Sequence, residues 1–191
     1  MINVVIIESR ENTRSPWLNG KGFSKNVAIF PDGASINDFV WRLSIAEIDK
    51  DCDYSHFERA QRRQILLNGG GLELTLPDKT HTLSLPYQSI DFSGNDDVYC
   101  HLLQDACLVL NIMYRSNVAA LETKVLRGSW RKQLDHLQRI FYIDDGEYEL
   151  IMPNQDNRTL RAGDALLIKS GEPLIEFVAK NQATMIEITF H

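Results

Sequence analysis

The residues best equipped for chemistry in this sequence are arginines and asparagines, not acid–base pairs. Arg42 stands in the run Phe39-Val40-Trp41-Arg42-Leu43-Ser44-Ile45-Ala46. Its period of two puts Phe39, Trp41, Leu43 and Ile45 on one face of a strand and Val40, Arg42, Ser44 and Ala46 on the other. The first face is large and apolar and suits a packed core. The second is small apart from one guanidinium. It is either a solvated face, the usual place for arginine, or one wall of a narrow cavity in which small neighbours leave room for a ligand and Arg42 supplies the charge. Catalytic chemistry has little to work with. Ser44 and Ser55 have no identifiable base, Cys52 and Cys100 have no activating neighbour, and there is no glycine-rich phosphate loop. The five histidines (His56, His81, His101, His136, His191) stand singly with no H-x-H pair. No catalytic residue, metal ligand or cofactor is therefore expected.

Composition bounds the partners. The chain has 191 residues, enough for one large domain or two small ones, with 43% hydrophobic and 24% charged residues as in ordinary globular proteins. A formal charge of −6 with no basic run argues against nucleic acid, which needs a concentrated positive patch. Three cysteines (Cys52, Cys100, Cys107) without C-x-x-C spacing read as reduced thiols. The apolar stretch Ile2 to Ile7 is too short for a signal segment, and no run approaches the roughly 20 residues of a membrane span. A cytoplasmic protein with no membrane partner is expected.

The elements that would position Arg42 are strands. Met1 to Glu8 opens the chain as a strand, Arg10 to Lys25 reads as a loop, and Val27 to Phe30 is a second strand. Further strands are expected over Phe39 to Ala46, Gln64 to Thr75, Leu108 to Tyr114, Phe141 to Met152 and Thr184 to Phe190. Val118 to Leu121 and Trp130 to Leu137 are read as turns of helix. An internal repeat organises the whole. Leu66-Leu67-Asn68-Gly69-Gly70-Gly71-Leu72-Glu73-Leu74 lies over Tyr142-Ile143-Asp144-Asp145-Gly146-Glu147-Tyr148-Glu149-Leu150 at an offset of 76, and Leu108 to Met113 lies over Thr184 to Thr189 at the same offset. Short strands punctuated by Gly, Pro, Asn and Asp turns predict an all-β fold of two similar antiparallel β-barrels. The expected division is 1–117 and 118–191.

Arg161-Ala162-Gly163-Asp164-Ala165-Leu166-Leu167-Ile168 and Asp145-Gly146-Glu147-Tyr148-Glu149-Leu150 resemble the two halves of a cupin motif. Trp17-x-Asn19-Gly20-x-Gly22, Trp41 to Ala46 (WRLSIA), Tyr54-Ser55-His56-Phe57 followed by Arg62, Leu66-Leu67-x-Gly69 and Asn111-Ile112-Met113-x-Arg115 resemble the HutD/Ves family in order and spacing. That resemblance implies a two-barrel, cupin-like (RmlC-like) protein with no established catalysis, tied in some bacteria to histidine utilisation and in another branch to cold and stress. It carries over a polar set for ligand binding: Trp17, Asn19, Arg42, Ser44, Arg62, Asn111 and Arg115. Guanidinium forks bind carboxylates in bidentate fashion, so the implied ligand is a small mono- or dicarboxylate metabolite such as an N-acylated amino acid. The structural alternative pairs these arginines with the chain's 26 acids. Two departures bear on the rim of any pocket. Glu58-Arg59 stands where the family has Pro-Gly, and Ser24-Lys25-Asn26 stands where Thr-Arg-Glu is common. The leading expectation is a non-catalytic sensor or modulator, with a homodimer allowed. A metal-independent isomerase or lyase using Glu73, Tyr54 or His56, and a stress-associated interaction protein, stand as alternatives.

Overall fold

Strand β1 (Asn3–Ile7) pairs antiparallel with β16 (Ala165–Ser170), Val4 opposite Ile168 and Ile7 opposite Ala165. The computed structural model describes residues 3–11, 14–17, 22–115 and 118–191. The chain forms two compact units, one of Thr13–Asn117 and one of Met1–Asn12 with Val118–His191. The expected division therefore needs correcting at its start. The apolar opening strand belongs to the second unit, because Val4 and Ile6 pack on that unit's core. A single turn of 3-10 helix (Ser9–Glu11) follows, with the Ser9 amide donating to Asp164 Oδ1 at 2.7 Å.

The first unit holds two antiparallel sheets. One runs in the order β2 (Arg14–Pro16), β3 (Phe23–Phe30), β4 (Trp41–Ile48), β11 (Cys107–Arg115), β6 (Ala60–Gly69) and β9 (Ser89–Ser93). The other runs β5 (Cys52–Asp53), β10 (Tyr99–Leu102), β7 (Leu72–Thr75) and β8 (Thr80–Leu83). Arg14–Pro16 and Phe23 onward, read from sequence as loop, are strand, because β2 closes the edge of β3 with Ser15 opposite Ser24. Ala46, Ile48, Leu66, Leu72, Leu74 and Val109 meet in the core of this unit. The even-numbered face of β4, the one bearing Arg42, thus points inward.

The second unit is built on two long strands, β14 (Gln138–Ile151) and β17 (Leu174–Phe190). Its sheet runs β1, β16, β14, β17 and β12 (Leu121–Arg127), with β15 (Arg158–Arg161) on β14 and β13 (Trp130–Gln133) on β17. The expected helical turns at Val118 to Leu121 and Trp130 to Leu137 are absent. β12 and β13 are instead strands joined at Gly128, whose φ of 72° permits the turn. Pairing with β17 and the packing of Leu126 and Trp130 on the core outweigh local propensity there.

Register bears on the internal repeat. In the first unit Arg62 faces Met113, Gln64 faces Asn111 and Leu66 faces Val109. In the second, Arg139 faces Thr189, Phe141 faces Glu187 and Ile143 faces Met185. Leu66 and Val109 lie in one core, Ile143 and Met185 in the other. The offset of 76 holds for Val109 and Met185, and for Leu72 and Tyr148, but β6 maps onto β14 at 77. The turn between Leu66 and Leu72 is one residue longer than the stretch between Ile143 and Tyr148, where β14 carries two register shifts. Arg62 thereby corresponds to Arg139 and Asn111 to Glu187.

Deleting residues 1–8 should expose the edge of β16. Hydrogen exchange should then show faster exchange across Ala165–Ser170 with protection kept across Trp41–Ile48. Loss of protection in Trp41–Ile48 alone would contradict the assignment of β1.

Candidate ligand-binding site

A cavity of about 360 Å³ opens in the first unit, within the range that holds small molecules. Two rows of the six-stranded sheet supply Ile29, Arg42, Met113 and Arg62, and Asn26 and Asn111, to its wall. One crosses the strands as Ile29, Arg42, Met113, Arg62 and Phe92; the next, two residues along, as Asn26, Ser44, Asn111, Gln64 and Ile90. The antiparallel register of β11 between β4 and β6 places the two arginines on either side of Met113.

Both arginines are buried, Arg42 at 5% exposure and Arg62 at 6%. Arg42 donates from Nε (2.9 Å) and from Nη2 to Asn26 Oδ1, and Asn26 donates to Ser15 Oγ at 2.7 Å. Arg62 donates from Nη1 to the Ser55 carbonyl at 3.1 Å, while its Nε is buried without a partner. The rings of Phe92, Tyr54 and Phe57 surround it, 4.8, 5.2 and 5.4 Å from the guanidinium carbon. Burial pulls the Arg62 guanidinium down to about 10 and lowers Arg42 as well, and arginine side chains keep their proton in proteins at neutral pH. No carboxylate among the described residues pairs with either. The wall of the cavity likewise contains no Asp, Glu, His or Cys among the described residues.

The second unit treats the corresponding arginine differently. Arg139 donates from Nε to Glu187 Oε1 at 3.1 Å and from Nη2 to Asp135 Oδ2 at 2.9 Å. Glu187 corresponds to Asn111 and is itself buried. There the fold supplies its own anions.

Of the residues singled out from sequence, Trp17, Arg42, Arg62 and Asn111 line the cavity together. Trp17 donates from Nε1 to Ser24 Oγ at 2.9 Å. Gly22 is required beside it, since a Cβ there would lie 2.8 Å from the indole. Asn19 falls outside the described residues. Ser44 shares the inward face but is 1% exposed, sits between Asn26 and Asn111 in its row, and is not part of the wall. Arg115 is also apart from the wall, which corrects its expected place there. β11 has by then run past the end of β4, and the side chain turns over the ring of Phe39, 4.8 Å away. It donates to three backbone carbonyls: Asn37 (2.7 Å), Glu58 (2.7 Å) and Phe39 (3.1 Å). Phe39 packs with Ala60 and Met113 against Ile29, Ala34 and Phe57, so Arg115 ties together the two loops that rim the cavity.

The proposed acid–base groups fare unevenly. Tyr54 lines the cavity, but burial raises its phenol well above the usual value and its Oη accepts from Gln64 Nε2 at 2.9 Å. Glu73 and His56 are not in the wall; His56 pairs with Asp97 at 2.9 Å. Asn26, Ile36 and Phe57 contribute to the site without having been singled out. Two of them had a sequence signal: Asn26 ends the departure Ser24-Lys25-Asn26, and Phe57 ends the motif Tyr54-Ser55-His56-Phe57. No group of three or more His, Cys, Asp or Glu that could hold a metal occurs among the described residues.

Replacing Arg115 by Leu should destabilise the protein by about 1–3 kcal/mol through lost charge-assisted bonds to carbonyls, measured by denaturant unfolding. An unchanged midpoint would remove its role as a tie between the rim loops.

Comparison with known proteins places the chain. The HutD family pattern matches residues 9–186. An uncharacterized 21.2 kDa protein in the hutC 3' region of Pseudomonas putida is 25% identical over 188 residues, covering 98% of each chain. Protein Ves of Escherichia fergusonii is 32% identical over 111 residues, 57% of this chain and 56% of its own. The structure of HutD from Pseudomonas fluorescens superposes with a TM-score of 0.75 at 23% identity, over 99% of this chain and 100% of that one. A cupin 2 conserved barrel protein of Leptotrichia buccalis shares the fold at a TM-score of 0.59 and 13% identity, over 98% and 96%. The fold is thus all-β, as the strand pattern predicts, and cupin-like, as the resemblance implies, and the chain belongs to the HutD family.

Proposed function

We propose that this protein binds a small carboxylate metabolite in the cavity of its first unit and works as a non-catalytic sensor or modulator of amino-acid catabolism in the cytoplasm. One observation carries the reading: two buried guanidiniums face one cavity with no carboxylate partner among the described residues, whereas Arg139 in the second unit has Glu187 and Asp135. Burying a cation costs several kcal/mol unless it is paired. A ligand carboxylate would do for Arg42 and Arg62 what Glu187 does for Arg139. Asn111 and the free Nε of Arg62 add hydrogen-bonding capacity at the same place.

Binding rather than turnover fits the wall, which among the described residues offers a proton-transfer candidate only in Tyr54, whose phenol burial raises well above its usual value. Histidine utilisation is the natural pathway, since the Pseudomonas putida relative is named for the hutC 3' region. The overall charge of −6 gives nucleic acid no footing. Among the described residues no helix is long and apolar enough to cross a membrane.

The test is binding of a carboxylate panel, followed by native mass spectrometry and by quenching of Trp17 fluorescence. Arg42→Leu and Arg62→Met should each weaken the best carboxylate about ten- to a hundredfold, the loss of one charge-assisted contact. Arg131→Leu, on an exposed side chain, should change nothing. Parent-like affinity in both cavity variants would defeat the proposal.

A further inference from the structure

We infer that the ligand class is narrower than small carboxylates in general: a monocarboxylate whose remaining body is apolar, about four to eight carbons long, in preference to dicarboxylates and polar hydroxy acids. The inference rests on the carboxylate reading and adds to it the shape of the charge. Arg42 and Arg62 are neighbours of the same residue, Met113, in one row of the sheet. The row spacing of about 4.8 Å per strand sets their backbones only two strands apart, and their side chains enter the cavity from the same wall. They form one cationic locus that converges on a single head group.

Among the described residues the rest of the wall offers no second locus. No other Arg or Lys lines the cavity among the described residues. Of the apolar lining, Ile29, Ala34, Phe57 and Met113 belong to one packed cluster and Ala46 and Ile48 to another, and Ile36 lines the wall as well. The polar groups farther round are already engaged with one another. Trp17 Nε1 donates to Ser24, and Asn26 is held between Ser15 and Arg42. A second carboxylate on the ligand would be taken from water into an apolar wall without a partner, a heavy penalty. A methylene in the same place gains by leaving water. The volume of about 360 Å³ accommodates a body of this size together with the head group.

Four probes separate the possibilities: acetate and three six-carbon compounds of matched length, hexanoate, adipate and hexanamide, titrated by calorimetry into the full-length protein. Affinity should rise from acetate to hexanoate by about three- to fourfold per added methylene. Adipate and hexanamide should each bind at least tenfold more weakly than hexanoate. Ile36→Ser should weaken hexanoate severalfold and leave acetate unchanged. Adipate binding as tightly as hexanoate, or no gain with chain length, would overturn this inference and leave the carboxylate reading standing. Hexanamide binding as well as hexanoate, or no binding by any of the carboxylates, would overturn both.

Discussion

The register of β11 between β4 and β6 is the constraint on which the site depends. Because side chains alternate with period two, a slip of one residue in β11 would turn Asn111 and Met113 away from the face that Arg42 and Arg62 share and bring Ile112 to it. The observed pairing of Met113 with both Arg42 and Arg62 instead sets the two arginines on the same inner face, one on either side of it. Everything else about the site follows from having to accommodate them. Asn26 and the Ser55 carbonyl take part of their hydrogen-bonding capacity. Three aromatic rings lie within 5.4 Å of Arg62, and such contacts contribute about 0.5–2 kcal/mol each. Neutral partners of this kind reduce the desolvation cost but leave the charge itself uncompensated.

The two units give one problem two answers. At corresponding positions the second unit has Arg139 for Arg62, Glu187 for Asn111 and, opposite Thr189, Glu122 for Arg42. Its interior is otherwise filled by Phe141, Tyr148, Phe177 and Leu166. An internal carboxylate there makes the ion pair a fixed part of the fold. The first unit carries the same sheet geometry with the acids removed and a second arginine added. That contrast, within one chain, is what the proposed function rests on: one site holds its own anion, and the other has none among the described residues.

Much of this was legible in the sequence, and the failures share a cause. The alternation around Arg42 marks the strand and its two faces, because period two is a local property. Which face points inward is decided by pairing across five strands distant in sequence, and the run itself leaves both choices open. The repeat offset of 76 is right for Val109 and Leu72 but misses by one at β6, because a single extra turn residue is invisible without register. Arg115 shares strand parity with Asn111 and Met113, which suggests the cavity. It sits past the end of β4, where the chain through Phe39 crosses over it. The helical turns expected near Trp130 yield to pairing with β17, and β1 joins a strand some 160 residues away in the chain.

The most direct measurement is thermal unfolding of an Asn26→Asp variant with and without a saturating small carboxylate. The substitution would hold a carboxylate where Arg42 now meets a neutral amide oxygen. If the buried charge is what recruits the ligand, the unliganded variant melts higher than the parent and the added carboxylate no longer raises its midpoint. A variant no more stable than the parent, and still stabilised by carboxylate to the parent's extent, would contradict the account.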